Sequence, residues 1–383
     1  MSNTAIALLI ITLCGSMYHV MAAVCGILFY LRRKRDIPGS IWPKAACLKP
    51  LCGYDFETSL NLKSFLDQDY PDYEVVFGTA KKEDGAYQEA YSICSEDRSV
   101  HCKAVFGEVG DGGNPKVRNL RNIEGHISPA AEVVVLSDSD TRVTKDYLKS
   151  MVAPISSDPT VGAVTSIYRV ENTSSLGGIM EALSVETTFV PGVLVVSTIS
   201  GLKYAFGASI AIRRSDFLEA GGFRAIEDYL ADDYKIGKII YERQKRVVLS
   251  PYVVSVISTN QGLKDTFTHL LRWSRTIRAC EPIGYFFSII SYSPLWALIA
   301  FKAIGTNPVG WTVLVGTCLI RIFSAALVAA AIGSRGGLIR AILTPVGDLL
   351  SSLLWLGGLI INQVTWRGVR YKVLSDGRMA GIQ

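Results

Sequence analysis

Hydrophobic positions are concentrated at the two ends of the chain. Residues 4–31 (TAIALLIITLCGSMYHVMAAVCGILFYL) hold no Asp, Glu, Lys or Arg and exceed the roughly 20 apolar residues that cross a bilayer. The basic run RRKR, Arg32 to Arg35, follows at once. A cleaved signal carries its charges before the apolar run, so the reverse order predicts a retained anchor with its C-terminal end in the cytoplasm. Three further apolar stretches, 283–304, 309–333 and 338–361, are separated by GTNP and GSRGG. Together these segments predict four spans. Arg335 and Arg340 ask for a cytoplasmic loop, while Arg367, Arg370, Lys372 and Arg378 ask for a cytoplasmic tail. One crossing cannot satisfy both, and Pro345 and Asp348 admit a re-entrant or interfacial path where other protein covers it. A further stretch, 189–206 (FVPGVLVVSTISGLKYAF), is broken by Pro191, Gly192 and Gly201. It reads as an interfacial segment or as buried core of the central domain.

The middle, 44–280, changes pattern. ACLKPL, YEVVFGTA, HCKAVF and EVVVLSD read as strands, and helical periodicity begins near Glu57, Gly85 and Asn114. This βαβ series predicts an α/β domain with a mostly parallel sheet, in which ligands sit beyond the C-terminal strand ends. The organisation is therefore an anchor at 4–31, an α/β domain at 44–280, membrane segments at 281–362 and a basic juxtamembrane tail at 363–383.

Composition adds limits. The net charge of +5 is modest, and its clusters flank apolar segments, which suits anionic headgroups rather than nucleic acid. Eight cysteines form no CxxC pair and have no His at metal spacing, so structural zinc is not expected and reduced thiols are.

Candidate chemistry starts at SDSD, residues 137–140, where the apolar run of a predicted strand ends in Asp138 and Asp140. Two carboxylates there can hold a hard divalent cation, which in turn holds a diphosphate. Solvated turn acids are the plain alternative. Asp232 and Asp233 head a helical pattern, where capping is the plain reading. HLLRW, His269 to Trp273, lies in a helix with Arg275 and Arg278, which alone reads as an amphipathic surface helix.

The ordered set KPLCGYD, DYPDYEVVFG, GGNPKVRNL, SDSDTRV, GGF, ADDY, HLLRW and WRGVRYKV resembles the ceramide glucosyltransferase family, a membrane-bound branch of the GT-A glycosyltransferases (family 21, family 2-like). The likeness covers about residues 44–375 and is greatest to bacterial hopanoid-biosynthesis glycosyltransferases. The resemblance implies a GT-A fold in which Asp84 of KKEDGA helps to hold the nucleotide, an ordinary turn acid being the plain alternative, and Lys116 of NPK lies near nucleotide or phosphates, a plain helix N-terminus being the competing reading. It also implies Mg²⁺ or Mn²⁺ and the UDP-sugar at Asp138 and Asp140, and Asp233 rather than Asp232 as catalytic base. His269, Arg272 and Trp273 match the motif Q/R-x-x-R-W, with histidine at its first place.

The function so implied is inverting transfer of a glucose- or N-acetylglucosamine-type sugar from a UDP-sugar to a lipid hydroxyl, of ceramide or a hopanoid polyol. The partners expected are the donor, the lipid and the cytoplasmic (inner) membrane, with the catalytic domain facing the cytoplasm. Two rivals are a processive polysaccharide synthase, for which the apolar tail looks short, and a non-catalytic membrane binding protein with a degenerate transferase fold.

Overall fold

The computed structural model describes residues 2–34, 41–96, 100–259, 261–360, 363–366, 369–374 and 376–381. The strands are β1 (Ala45–Pro50), β2 (Tyr73–Thr79), β3 (His101–Phe106), β4 (Val133–Ser137), β5 (Thr141–Arg142), β6 (Val161–Glu171), β7 (Ser209–Arg213) and β8 (Arg246–Ile257). They form one sheet in the order β3-β2-β1-β4-β7-β6-β8-β5.

The helices Thr58–Lys63, Gly85–Glu96 and Pro115–Glu124 connect β1 to β4. These crossovers make β3-β2-β1-β4 parallel. Beyond β4 the sheet is mixed: β7 is antiparallel to β4 and β6, and β5 to β8, while β6 and β8 are parallel. Parallel strands dominate where the βαβ pattern predicted them.

Alternation along the strands splits the core into two faces. Leu48, Val76 and Leu136 pack with the helix Pro115–Glu124 through Val117 and Leu120. On the opposite face Cys47, Val75 and Val135 join Phe29 of the first helix and Val328 and Ile332 of a late one. The α/β domain and the membrane helices thus share a core rather than meeting through a linker.

Among the described residues four helices are long and apolar enough to cross a membrane: Asn3–Arg33, Leu176–Ile199, Pro308–Ile332 and Gly337–Ile360. The expected span at 283–304 is instead a pair, Pro282–Ser291 and Ser293–Ile304, bent by 55°. Leu176–Ile199 runs unbroken through Pro191 and Gly192, which corrects that part of the reading of 189–206, whereas the helix ends before Gly201 and Val190, Val193 and Leu194 join the core, as the buried-core alternative expected.

The physical reason lies in one turn. Proline at 191 removes a backbone donor and crowds the carbonyl four residues earlier. Here residues Val185–Phe189 adopt a π-helical turn, and the Thr187 carbonyl accepts a hydrogen bond from Arg321 Nη2 at 2.8 Å. A distant arginine thus supplies a donor to the carbonyl whose α-helical partner, residue 191, is a proline without an N–H.

Arg321 also forms a two-bond pair with Asp348, both bonds at 2.7 Å, with side chains 2% and 0% exposed. Asp348 is covered by protein, as its place in an apolar stretch required. Arg340 is likewise buried and pairs with Glu186 through Nε at 3.1 Å and Nη2 at 2.5 Å. Arg340 is therefore an internal counter-ion and not a loop cation, so its weight in the topology argument falls away. Asp348→Ala strands a buried guanidinium and is expected to cost about 3–5 kcal/mol. Thermal unfolding in detergent checks this, with the exposed Arg335→Ala as a control expected within about 0.5 kcal/mol of the parent.

Two other findings revise the reading of the sequence. Cys94 and Cys102 form a disulfide with Cα atoms 5.1 Å apart, so the thiols are not all reduced. The basic tail also carries folded structure: β9 (Gln363–Trp366), β10 (Val369–Val373) and β11 (Met379–Gly381) form a small antiparallel sheet. Met379 N–H donates to the Asp228 carbonyl at 2.8 Å, and Leu230 N–H to the Gly377 carbonyl at 3.2 Å. Arg367 lies outside the described residues.

Candidate active site

β4 is buried along its length and ends at Ser137, so the next residues emerge where neighbouring loops diverge. Asp138 and Asp140 occupy this turn and are half-buried. Beneath it lies Lys49, the one charged side chain of β1 and 0% exposed. Its ammonium donates to the Asp138 carbonyl at 2.5 Å and to Thr141 Oγ1 at 2.8 Å. Burial lowers the Lys49 pKa, and the carboxylates of Asp140 and Asp138 oppose that shift. Sequence reading missed this residue; the available signal was a lone lysine in an otherwise apolar strand.

Asn114 caps the helix Pro115–Glu124, accepting from Lys116 N at 2.9 Å and Val117 N at 3.2 Å, with Pro115 in the first turn. The helix start and the charged role of Lys116 are compatible, because the Lys116 side chain swings into the cleft. Its Nζ lies 2.7 Å from Asp138 Oδ1 and 3.1 Å from Asp232 Oδ2. Burial works against this ammonium, but Asp138, Asp232 and Asp233 lift its pKa well above the usual lysine range.

Asp232 and Asp233 open the helix Asp232–Glu242, whose cap position is Ala231, with no side-chain cap bond. Neither acid is the cap residue, but Asp233 Oδ1 accepts from Tyr234 N at 2.8 Å, so one of its oxygens serves the helix start and leaves Oδ2 for the cleft. A methyl group at Gly207 would lie 3.1 Å from Asp233 Oδ2 and 3.5 Å from Asp138 Oδ2, which places both carboxylates around one bare stretch of backbone. Pro50, Lys116, Asp138, Gly207, Asp232 and Asp233 line a common crevice. Burial, followed by the charge of Asp232, raises the Asp233 pKa to about 6. Burial and then Asp138 raise Asp140.

Arg272, His269 and Trp273 lie on the helix Leu263–Cys280. Arg272 makes no ion pair among the described residues; burial lowers its pKa, and the negative charge of Asp138 opposes this. Burial, then Arg272, lowers His269 to about 4, so the ring is neutral at physiological pH. Its Nε2 is buried without a hydrogen-bond partner among the described residues.

The His269 ring starts an unbroken aromatic array. Successive ring centroids run from His269 to Trp273 (4.7 Å), Tyr168 (6.4 Å), Phe189 (5.1 Å), Phe206 (5.2 Å), Tyr204 (5.8 Å) and Tyr234 (5.0 Å). It links the apolar helix Leu176–Ile199, through Phe189, to the residue following Asp233. Tyr168 was not legible in the sequence.

Glu181, also missed, accepts from Ser258 Oγ at 3.2 Å, and its charge reaches Asp140 and Tyr168. Acids inside an apolar stretch were the available signal. Asp84 sits apart from this crevice: its carboxylate accepts from Gly53 N at 2.9 Å and Ala86 N at 2.9 Å, tying the loop after β1 to the start of the helix Gly85–Glu96.

A divalent cation fits the donor set. Lys116 takes Asp138 Oδ1, leaving Oδ2 toward Gly207, and the Asp140 carboxylate makes no ion pair among the described residues. No group of three or more His, Cys, Asp or Glu side chains among those residues could enclose a metal. Two carboxylates completed by phosphate oxygens and water suit Mg²⁺ or Mn²⁺ rather than an all-protein cage.

A sequence profile of glycosyl transferase family 21 matches residues 7–379. Ceramide glucosyltransferase 1 of Caenorhabditis elegans is 24% identical over 69% of this chain and 56% of its own length. Ceramide glucosyltransferase 3 of the same organism is 22% identical over 63% and 52%. The chain thus spans about half the length of these curated relatives. Among solved structures, a mannosyltransferase from Pyrobaculum calidifontis in complex with GDP-Man and Mn²⁺ superposes with a TM-score of 0.51 at 19% identity, covering 92% of this chain and 98% of that one. Its likeness concerns the fold, which is GT-A.

Proposed function

The chain belongs to glycosyl transferase family 21, and from that premise we propose that it moves one sugar, of glucose or N-acetylglucosamine type, from a UDP-sugar to a membrane lipid hydroxyl. Ceramide or a hopanoid polyol is the acceptor class. One observation carries this reading: the half-buried carboxylate of Asp233 adjoins both the Asp138 turn and an aromatic array leading to an apolar helix, and its surroundings raise its pKa to about 6. A polar donor and an apolar acceptor would meet there.

Asp138 and Asp140 would hold the cation, which when bound supplies positive charge to the donor diphosphate. Lys116 and Arg272 add fixed positive charge to the same side, offsetting what develops on the leaving UDP. Asp84 contributes to the nucleotide end through the loop it braces. Asp233 accepts the proton of the acceptor hydroxyl, and attack opposite the leaving group inverts the anomeric centre. His269 and Trp273 line the acceptor's path. The membrane in question is the cytoplasmic one, with the α/β domain on its cytoplasmic side.

The test is UDP release from a panel of UDP-sugars by the purified protein, with and without a total lipid extract. Lipid-dependent release from one donor supports the proposal, and release indifferent to lipid refutes the acceptor assignment. A pH profile adds a second check. Asp233 must be ionised to act as base, so kcat/KM should rise with pH to a plateau above about 6. A flat acid limb would remove Asp233 from that role.

A further inference from the structure

The ammonium of Lys49 is buried yet surrounded by oxygen. It lies one residue past Leu48 and Leu136, the last pair of the parallel β1–β4 ladder, and so reaches under the turn that follows β4. There it donates to the Asp138 carbonyl at 2.5 Å, to Thr141 Oγ1 at 2.8 Å and, more weakly, to the Thr141 carbonyl at 3.4 Å. On its remaining side stands the Phe65 ring, with the centroid 4.0 Å away.

A buried ammonium costs several kcal/mol unless its donors are used, and here all of them point into one turn. Thr141 closes that turn. Its hydroxyl donates to the Asp138 carbonyl at 2.7 Å and shares a 2.6 Å contact with Ser137 Oγ, while its N–H reaches the same carbonyl at 3.3 Å. Lys49 therefore grips the backbone on both sides of Asp140. We propose that Lys49 is the positioning residue of the cation site, fixing the turn that carries the Asp138 and Asp140 carboxylates. It needs no contact with cation, donor or acceptor. A merely structural lysine would sit anywhere in the core; this one spends its donors on the loop between the two carboxylates. The inference rests on Asp138 and Asp140 being the cation-holding pair.

Mn²⁺ binding to the full-length protein in detergent, followed by electron paramagnetic resonance, tests it without turnover. Lys49→Met keeps the length and removes the charge, and should weaken Mn²⁺ binding by at least about tenfold, the usual scale for a residue that orients a metal ligand. Thr141→Val, which leaves Lys49 in place but removes the hydroxyl it grips, should weaken binding in the same direction, while Thr141→Ser should bind as the parent does. UDP binding measured in EDTA should stay unchanged in all three. Folded Lys49→Met that binds Mn²⁺ normally overturns the proposal. So does joint loss of Mn²⁺ binding, EDTA-insensitive UDP binding and near-ultraviolet circular dichroism in Lys49→Met and Thr141→Val, which would make the lysine a fold residue only. Absence of Mn²⁺ binding in the parent protein overturns the metal assignment itself, and this proposal with it.

Discussion

Asp233→Asn is expected to lower turnover by at least roughly a hundredfold while UDP binding stays close to the parent value. Asparagine keeps the size and shape of the side chain but cannot take a proton. The substitution also discriminates between roles, because asparagine caps a helix as well as aspartate does and a capping residue would tolerate it. The sensitive outcome is expected because only one oxygen serves the helix start, Oδ1 accepting from Tyr234 N, whereas Oδ2 faces the Gly207 backbone beside Asp138. Asp232→Asn should behave differently. That residue is paired with Lys116 at 3.1 Å, so its loss should disturb donor affinity more than the proton transfer. Parallel rate and UDP-binding measurements on folded samples decide the matter, and near-normal turnover in Asp233→Asn would rule out this base.

Removing the cation is expected to have an effect of similar size. Turnover should fall by roughly a hundredfold or more in EDTA, return with Mg²⁺ or Mn²⁺, and fail to return in Asp140→Ala, since charge on the leaving diphosphate would go unbalanced. The Asp140 side chain is half-buried and makes no ion pair among the described residues, so alanine there should leave the fold intact. Full turnover in EDTA would show that Lys116 and Arg272 suffice, and the metal assignment would be withdrawn.

The acids at the end of β4 were legible because a buried strand cannot continue into SDSD; burial stops where the carboxylates begin. Lys116 was singled out only through the family resemblance of NPK, whereas the helix start at Asn114 and Pro115 was legible from residue type. Residues whose roles depend on distant partners were not. Pro191 looked like a helix breaker until Arg321 satisfied the Thr187 carbonyl across 134 positions of sequence, and Arg340 looked like a loop cation until Glu186 neutralised it. Local pattern reports what a residue prefers, whereas these outcomes were set by which groups the fold brings together. Lys49 belongs with them, since a lysine in a strand is ordinarily solvated and only the turn above explains its burial.

Product identity tests the central claim most directly. The purified protein is incubated with the UDP-sugar that supports release, a divalent cation and the total lipid extract, and new lipid species are identified by mass alongside the UDP formed. The account predicts one new glycolipid carrying a single added sugar, equimolar with UDP, and absent when Asp233→Asn replaces the parent protein. A ladder of products with many added sugars, or UDP formed with no lipid gaining mass, would contradict it.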